Sequence, residues 1–152
     1  APSVGTKQRD GVRGAEVGML SKKICAVSWL FTLGAVVYSV IEVLFRGYTH
    51  WTMTLCGGRC LVSMCGICRS MRKRSLCLRC VACGMCITAV EFAAGCIVNL
   101  WLGWNVWDYS ARRGNILGQV CPVFTLFWSI LSLPVAVTVA LALRRGEKSA
   151  QS

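Results

Sequence analysis

Four apolar segments, joined by short polar connections, limit what this chain can fold into. The clearest is 24–45, a run of 22 residues in which Glu42 is the only charge. As an α-helix it would be about 33 Å long, which matches the roughly 30 Å hydrocarbon core of a bilayer. The segment therefore predicts a membrane-spanning helix.

The remaining apolar segments lie at 53–68, 76–102 and 115–143. The first of these has only 16 residues, so it predicts either a short tilted span or a re-entrant piece, and we interpret it as a span. The last has 29 residues without a formal charge, and Pro122 and Pro134 predict kinks within it. Together the segments predict an all-α, polytopic membrane protein with about four transmembrane helices.

Polar ends flank this predicted membrane domain, which we place at 22–145. The first 21 residues are rich in glycine and scattered charge, so 1–21 is predicted to be a flexible polar tail. Residues 146–152 are predicted to form a short polar tail at the other end.

The basic residues predict the orientation of the four spans. With four crossings, the amino-terminal tail, the 69–79 connection and the carboxyl-terminal tail share one side, and this side holds 13 of the 17 basic residues. The opposite side holds three, and Arg59 lies within the second segment. Because cytoplasmic loops carry the excess of Lys and Arg, both termini are predicted to be cytoplasmic.

The composition excludes several classes of protein. The apolar fraction is 55%, the mean hydropathy is +0.58 and the net charge is +11, which favours a lipid bilayer as partner over nucleic acid. The chain has no phosphate-binding loop of the type G-x-x-x-x-G-K-[ST], no G-x-S-x-G and no H-E-x-x-H. We therefore predict that it is not an enzyme and has no cofactor.

Aromatic residues are concentrated where the predicted spans meet the outer surface. Indole rings favour the headgroup level, where the ring contacts lipid and the N–H contacts water. The pattern therefore predicts an interfacial belt, and a cation or substrate site on the rings is the alternative. The predicted belt residues are Trp51, Trp101, Trp104, Trp107 and Tyr109.

Polar residues within or beside the spans are the candidates for function, because ionisable groups are costly in a membrane. These candidates are Glu42, Arg59, Glu91, Asn99 and Asp108. Glu42 and Arg59 lie at similar depths, so we predict that they pair between the first two spans. Such a pair would serve packing alone, or it would take part in transport or proton relay.

The 11 cysteines are the second unusual feature of the sequence. Many lie in C-x-x-C steps that resemble metal-ligand runs, so a metal-binding or redox module is an alternative function. We favour small buried residues at helix contacts, and lipidation or redox sensing is a further alternative. The candidate metal ligands are Cys65, Cys68, Cys77, Cys80, Cys83 and Cys86.

Two blocks of this sequence resemble a known family. They are VIEVLFRGYTHWTMTLCGG at 40–58 and, over 89–128, AVEFAAGCIVNLWLGWNVWDYS with NILGQVCPVFTLFW. Both are similar to small bacterial membrane proteins of the ABC-transporter type IV (permease-like) family. The family motif positions matched here are Glu42, His50, Trp51, Gly57, Gly58, Glu91, Phe92, Gly95, Asn99, Trp104, Trp107, Asp108, Tyr109, Gly118 and Gln119.

The resemblance implies a multi-pass, permease-like protein of the cell (plasma) membrane. Four spans leave little room for a central pathway, so we expect it to act as a homo-oligomer or with other membrane or ATPase subunits. A membrane scaffold or sensor without transport is the alternative.

Overall fold

A computed structural model describes residues 4–149, and the side chains from Arg13 to Ser149. The described chain is helical and has no strand, although one isolated β-bridge joins Ile116 and Val120. The helices are α1 (Val4–Arg46), α2 (Trp51–Ser70), α3 (Leu76–Gly95), α4 (Pro122–Leu131) and α5 (Leu133–Ser149), and α3 continues as a π-helical segment, Cys96–Trp101.

Three stretches of helix are long and apolar enough to cross a membrane: Arg13–Arg46, Leu76–Trp101 and Pro122–Ser149. Their outward faces carry large apolar side chains, of which Trp29 and Leu44 are 72% and 79% exposed. A soluble protein rarely exposes apolar surface on this scale, so the fold is that of an all-α membrane protein. Helix α2 is not among the three stretches, because its Arg, Thr, Ser and Gly residues lower its mean hydropathy.

Helices α1 and α2 form an antiparallel hairpin with unusually close packing. A Cβ built on Gly57 would lie 2.2 Å from Tyr38 Cβ, and one built on Gly34 would lie 2.7 Å from the Gly57 carbonyl oxygen. Only glycine permits this approach, as in other small-residue contacts between membrane helices. The Ser39 and Thr54 hydroxyls are 2.8 Å apart across the same contact.

Helix α3 packs antiparallel against α4 through a second set of small and hydroxyl residues. The Thr88 hydroxyl donates to Thr125 Oγ1 over 2.9 Å, and Gly84 leaves room for Ser129. The cysteines of α2 and α3 contribute to the core that joins these pairs. The buried members of that core are Cys60, Met64, Cys68, Cys80, Cys83, Ile87, Trp128 and Ala136.

The connection 102–121 folds over one end of the bundle, which we call the loop end. The opposite end carries the 71–75 turn and the end of α5, and we call it the basic end. The fourth helix was predicted from residue 115, but α4 begins at Pro122. Residues 115–121 lack charge but form a turn with left-handed backbone at Leu117 (φ 51°) and Gly118 (φ 69°), which a helix cannot contain.

The structure at the ends of the chain and at the two prolines bears on the sequence-based expectations. Helix α1 begins at Val4, so the tail predicted at 1–21 is helical wherever it is described, and α5 extends to Ser149. Pro122 starts α4 rather than kinking it, because the first turn of a helix does not need its N–H. Pro134 lies two residues after Ser132, which separates α4 from α5, so the helix is interrupted where its kink was predicted.

Candidate functional site

A polar cleft lies at the loop end, between α1, α4 and the 102–121 connection. Its volume is about 410 Å³. Among the described residues, no Cα of α1 lies within 8 Å of α4, so the two helices meet only through side chains. The lining combines charged, aromatic and aliphatic residues: Tyr38, Ile41, Glu42, Phe45, Arg46, Met53, Trp107, Asp108, Tyr109, Arg112, Val123, Phe124, Phe127 and Trp128.

Glu42 is the carboxylate on the α1 side of the cleft. It is buried, and its two oxygens accept from Arg46 Nη1 at 2.7 Å and from the Thr49 hydroxyl at 2.5 Å. The predicted pairing with Arg59 is wrong, because Arg59 is exposed and makes no salt bridge among the described residues. Residues four apart share a helix face, so Glu42 finds its cation within α1.

Arg46 joins α1 to the connection that covers the loop end. Its Nη2 donates to the Val106 carbonyl oxygen and, over 3.0 Å, to the Tyr48 hydroxyl. The guanidinium carbon also lies 4.9 Å from the centre of the Tyr48 ring, a cation–π contact. One guanidinium thus binds a carboxylate, a phenol and a backbone carbonyl at the mouth of the cleft.

Glu91 lies behind the wall of the cleft and is 2% exposed. Its oxygens accept from the Tyr38 hydroxyl at 3.0 Å and from Trp128 Nε1 at 2.9 Å. The Tyr38 and Trp128 rings stack with centroids 5.5 Å apart. Two neutral donors, one from α1 and one from α4, therefore hold the central carboxyl, and no cation among the described residues pairs with it.

Asn99, in the π-helical segment, anchors the connection over the loop end. Its Nδ2 donates to the Trp107 carbonyl oxygen at 3.0 Å and to Gln119 Oε1 at 2.7 Å, while its Oδ1 accepts from the Val106 N–H at 2.7 Å. The candidate residue Asn99 is thus fully bonded, and its role in the structure is to fix the connection 102–121.

Trp107 does not belong to the predicted aromatic belt. It is 5% exposed, and its Nε1 donates to the Gln119 carbonyl oxygen at 2.9 Å. The indole packs into a buried cluster because the connection turns back over the bundle after Trp101. Trp51, Trp101 and Trp104 are exposed, as a belt requires, whereas Tyr109 is half-buried and stacks on Phe124 with centroids 4.6 Å apart.

Asp108 and Arg112 bring opposite charges to the rim of the cleft. Asp108 is exposed and accepts from the Ser110 hydroxyl at 2.5 Å and from its N–H at 2.8 Å. These two hydrogen bonds lower the pKa of Asp108. Burial raises the pKa of the neighbouring Tyr109 phenol, which therefore stays neutral.

The cysteine residues do not converge on a metal site. Within the described part of the chain, no three His, Cys, Asp or Glu side chains are placed to hold a metal ion. Cys68 and Cys83 approach with sulfur atoms 3.7 Å apart, but Cys77 is exposed at the start of α3. A step of three places successive cysteines around the helix rather than around one point, so the geometry does not support the set Cys65, Cys68, Cys77, Cys80, Cys83 and Cys86 as ligands.

Sequence reasoning did not identify Tyr38, Arg46 and Trp128 as parts of the site. Only Arg46 had a signal in the sequence, its spacing of four from Glu42. Tyr38 and Trp128 are 53 and 37 residues from Glu91, so no local pattern links them to it.

A family model described as "Putative ABC-transporter type IV" matches residues 29–150 of the chain. No curated protein and no solved structure matches this chain. The matched region includes all of α2, α3, α4 and α5, together with the side chains that line the polar cleft. This region covers most of the 152 residues. The chain therefore belongs to the ABC-transporter type IV family.

Proposed function

We propose that this protein is a permease-like component of a transport system in the plasma membrane, acting as an oligomer or with partner subunits. Family membership and the apolar spans support a transport-related membrane protein. The observation that carries the finer proposal is the polar cleft between α1 and α4, in which Glu42, Arg46 and Arg112 line a space of about 410 Å³.

The shape of the cleft supports a need for partners. Helix α1 packs on α2, and α4 packs on α3, but the backbones of α1 and α4 remain apart within the described chain. The Arg46 side chain is 27% exposed, and the open side of the cleft would present this charge to lipid, where charge is costly. A second subunit placed against α1 and α4 would close the cleft into a pathway and shield the charges.

We also propose that α2 is a fourth span and that both termini are cytoplasmic. Helix α2 has 20 residues, which corresponds to about 30 Å, and it is antiparallel to α1 in the hairpin. Four crossings leave the basic 71–75 turn and the end of α5 on one side, as the excess of Lys and Arg on cytoplasmic loops requires. A reporter fused at Lys73 should be cytoplasmic and one at Ala111 external, whereas the opposite result would refute this topology.

Within this proposal, Glu42 and Glu91 are the polar groups of the transport pathway. Glu42 lines the cleft directly. Glu91 is connected to the cleft through Tyr38 and Trp128, which line the cleft and donate hydrogen bonds to the two oxygens of Glu91. A solute or proton that crosses the protein would meet these carboxyl groups in turn.

The proposal is tested by placing a photo-crosslinking amino acid at Phe45 or at Phe124 in the full chain in native membranes. Both side chains line the cleft. The matched control is Trp101, which is 79% exposed and lies outside the cleft. We expect a discrete protein adduct at the two cleft positions and lipid adducts at Trp101, with mass spectrometry identifying a second copy or another subunit. Lipid adducts alone at all three positions would refute a subunit interface at the cleft.

A second measurement separates transport from a scaffold role. The variants Glu42→Gln and Glu91→Gln are first checked for the same protein crosslink at the cleft as the wild-type chain, which shows that the complex still assembles. These variants should then lose most of the solute uptake that depends on the assembled complex. Undiminished uptake in both variants would show that the chain assembles the complex without forming its pathway.

A further inference from the structure

We propose that the basic end contains a site for a phosphate group, carried either by a membrane lipid or by a soluble anion. The site is a cavity of about 450 Å³ between the 71–75 turn and the end of α5. Its lining residues are Arg72, Lys73, Arg74, Ser75, Leu76, Arg79, Ala140, Leu143, Arg144 and Glu147. This inference is independent of the proposed transport function.

Arg79 is the residue that points to a ligand. It is 6% exposed, its Nε donates to the Arg74 carbonyl oxygen at 3.2 Å, and its Nη2 donates to the Arg72 carbonyl oxygen. Its Nη1 is buried and has no hydrogen-bond partner. A buried guanidinium donor without an acceptor is costly, and an oxygen of a bound anion would satisfy it.

The charge of the cavity is strongly unbalanced. Five cationic residues line it, and Glu147 is the only carboxylate in the lining. Glu147 lies 3.7 Å from Arg72 at an exposed position, so it does not neutralise Arg79. Such an arrangement of several cations around a small volume attracts an anion.

The geometry of the donors favours phosphate over a carboxylate. Guanidinium groups bind phosphate oxygens with a planar fork, and several can surround one tetrahedral anion. The amino terminus of α3 also borders the cavity, since Ser75 and Leu76 line it. The unpaired N–H groups and the dipole at a helix amino terminus stabilise a phosphate there.

The depth of the cavity suits a lipid headgroup. The apolar stretch of α3 that can cross the membrane begins at Leu76, so the cavity lies where that span ends. Leu76, Ala140 and Leu143 form an apolar wall beside the cations. A lipid phosphate held by Arg79 and Arg144 would therefore have its acyl chains next to apolar side chains, whereas a soluble phosphate would use the cations alone.

The test uses the purified full chain and native mass spectrometry with two probes, phosphatidylglycerol in mixed micelles with phosphatidylcholine, and inorganic phosphate. Because Arg79 also closes the 72–74 turn, the test variant is Arg144→Gln. The matched control is Arg145→Gln, which removes the same charge from the next residue, outside the cavity lining. We expect Arg144→Gln to weaken binding about tenfold, as the loss of a charge-assisted contact predicts, and Arg145→Gln to weaken it about twofold, as diffuse charge predicts.

The two probes distinguish the source of the phosphate. Binding of phosphatidylglycerol that inorganic phosphate does not displace would support a lipid site, and binding of inorganic phosphate alone would support a soluble anion at the same residues. Equal losses in the Arg144→Gln and Arg145→Gln variants, or no binding of either probe to the wild-type chain, would overturn the proposed site.

Discussion

Replacing Gly57 with alanine should separate α1 from α2. The added Cβ would lie 2.2 Å from Tyr38 Cβ and 2.9 Å from the Gly34 carbonyl oxygen. Carbon atoms in contact are normally about 3.5–4.0 Å apart, so the two helices must separate by more than about 1 Å to accommodate the new methyl group. Neither obstacle is the flexible end of a side chain, so a rotamer change cannot relieve the clash.

The expected free-energy cost combines two effects. Overpacking a close contact costs about 1–3 kcal/mol. Displacing Tyr38 also weakens its hydrogen bond to Glu91, now 3.0 Å long, which is worth about 1 kcal/mol. The free energy of unfolding should therefore fall by about 2–4 kcal/mol, which is at least a tenfold change in the unfolding equilibrium.

The measurement is unfolding of the purified protein in mixed micelles with increasing denaturing detergent, followed by tryptophan fluorescence. Gly66→Ala is the matched control, because it lies on the same helix and a Cβ there meets nothing within 4 Å. The control should retain wild-type stability or gain slightly from alanine's helix propensity. Equal stability of both variants would refute the close contact between α1 and α2.

Three further predictions concern the central carboxyl and the loop end. Glu91→Ala leaves the donors of Tyr38 and Trp128 without an acceptor, so the free energy of unfolding should fall by about 2–5 kcal/mol. Glu91→Gln keeps one acceptor, so its loss in the same unfolding assay should be less than half as large. Asn99→Ala removes three hydrogen bonds that fix the connection 102–121, so proteolysis within this connection should accelerate at least several-fold, and an unchanged rate would contradict the anchoring role. The hydrogen bonds from Ser110 lower the pKa of Asp108, so this stabilisation is present above pH 4 or so, the ordinary carboxyl value, and is lost as the pH falls through the lowered pKa. The amide protection factors across 102–121, which correct for the intrinsic pH dependence of hydrogen exchange, should fall in that window, and Ser110→Ala should weaken this pH dependence.

The helical membrane fold could be predicted from the sequence because long apolar runs have few other solutions. The run at 24–45 lies within α1, and the predicted third segment, 76–102, nearly coincides with the stretch Leu76–Trp101. Hydropathy failed at 115–121, where the chain is apolar but turns back through Leu117 and Gly118. Absence of charge indicates where a chain can be buried, and it does not show that the backbone is helical.

The site was less predictable, because its contacts join residues that are distant in the sequence. Glu91 was singled out correctly as a buried carboxyl, but its donors lie on α1 and α4. The cation that pairs with Glu42 was misassigned. Arg59 was chosen because it lies at a similar depth in the membrane, whereas Arg46, four residues further along the same helix, is the actual partner. Trp107 was assigned to the lipid interface because it follows the outer end of the third apolar segment, but the connection turns back over the bundle after Trp101 and buries it.

The break between α4 and α5 gives the two ends of the protein a mechanical connection. Ser132, which separates the two helices, is fully buried, and its hydroxyl lies 2.7 Å from the Ser129 carbonyl oxygen and 3.3 Å from the Cys80 carbonyl oxygen of α3, so the joint between α4 and α5 packs against α3. Helix α5 carries Arg144 on the far side, and its Ala136 packs in the same cluster as Trp128, which binds Glu91. Because Pro122–Ser149 is one apolar stretch, the arginine of the basic end and the indole beside the central carboxyl belong to the same span.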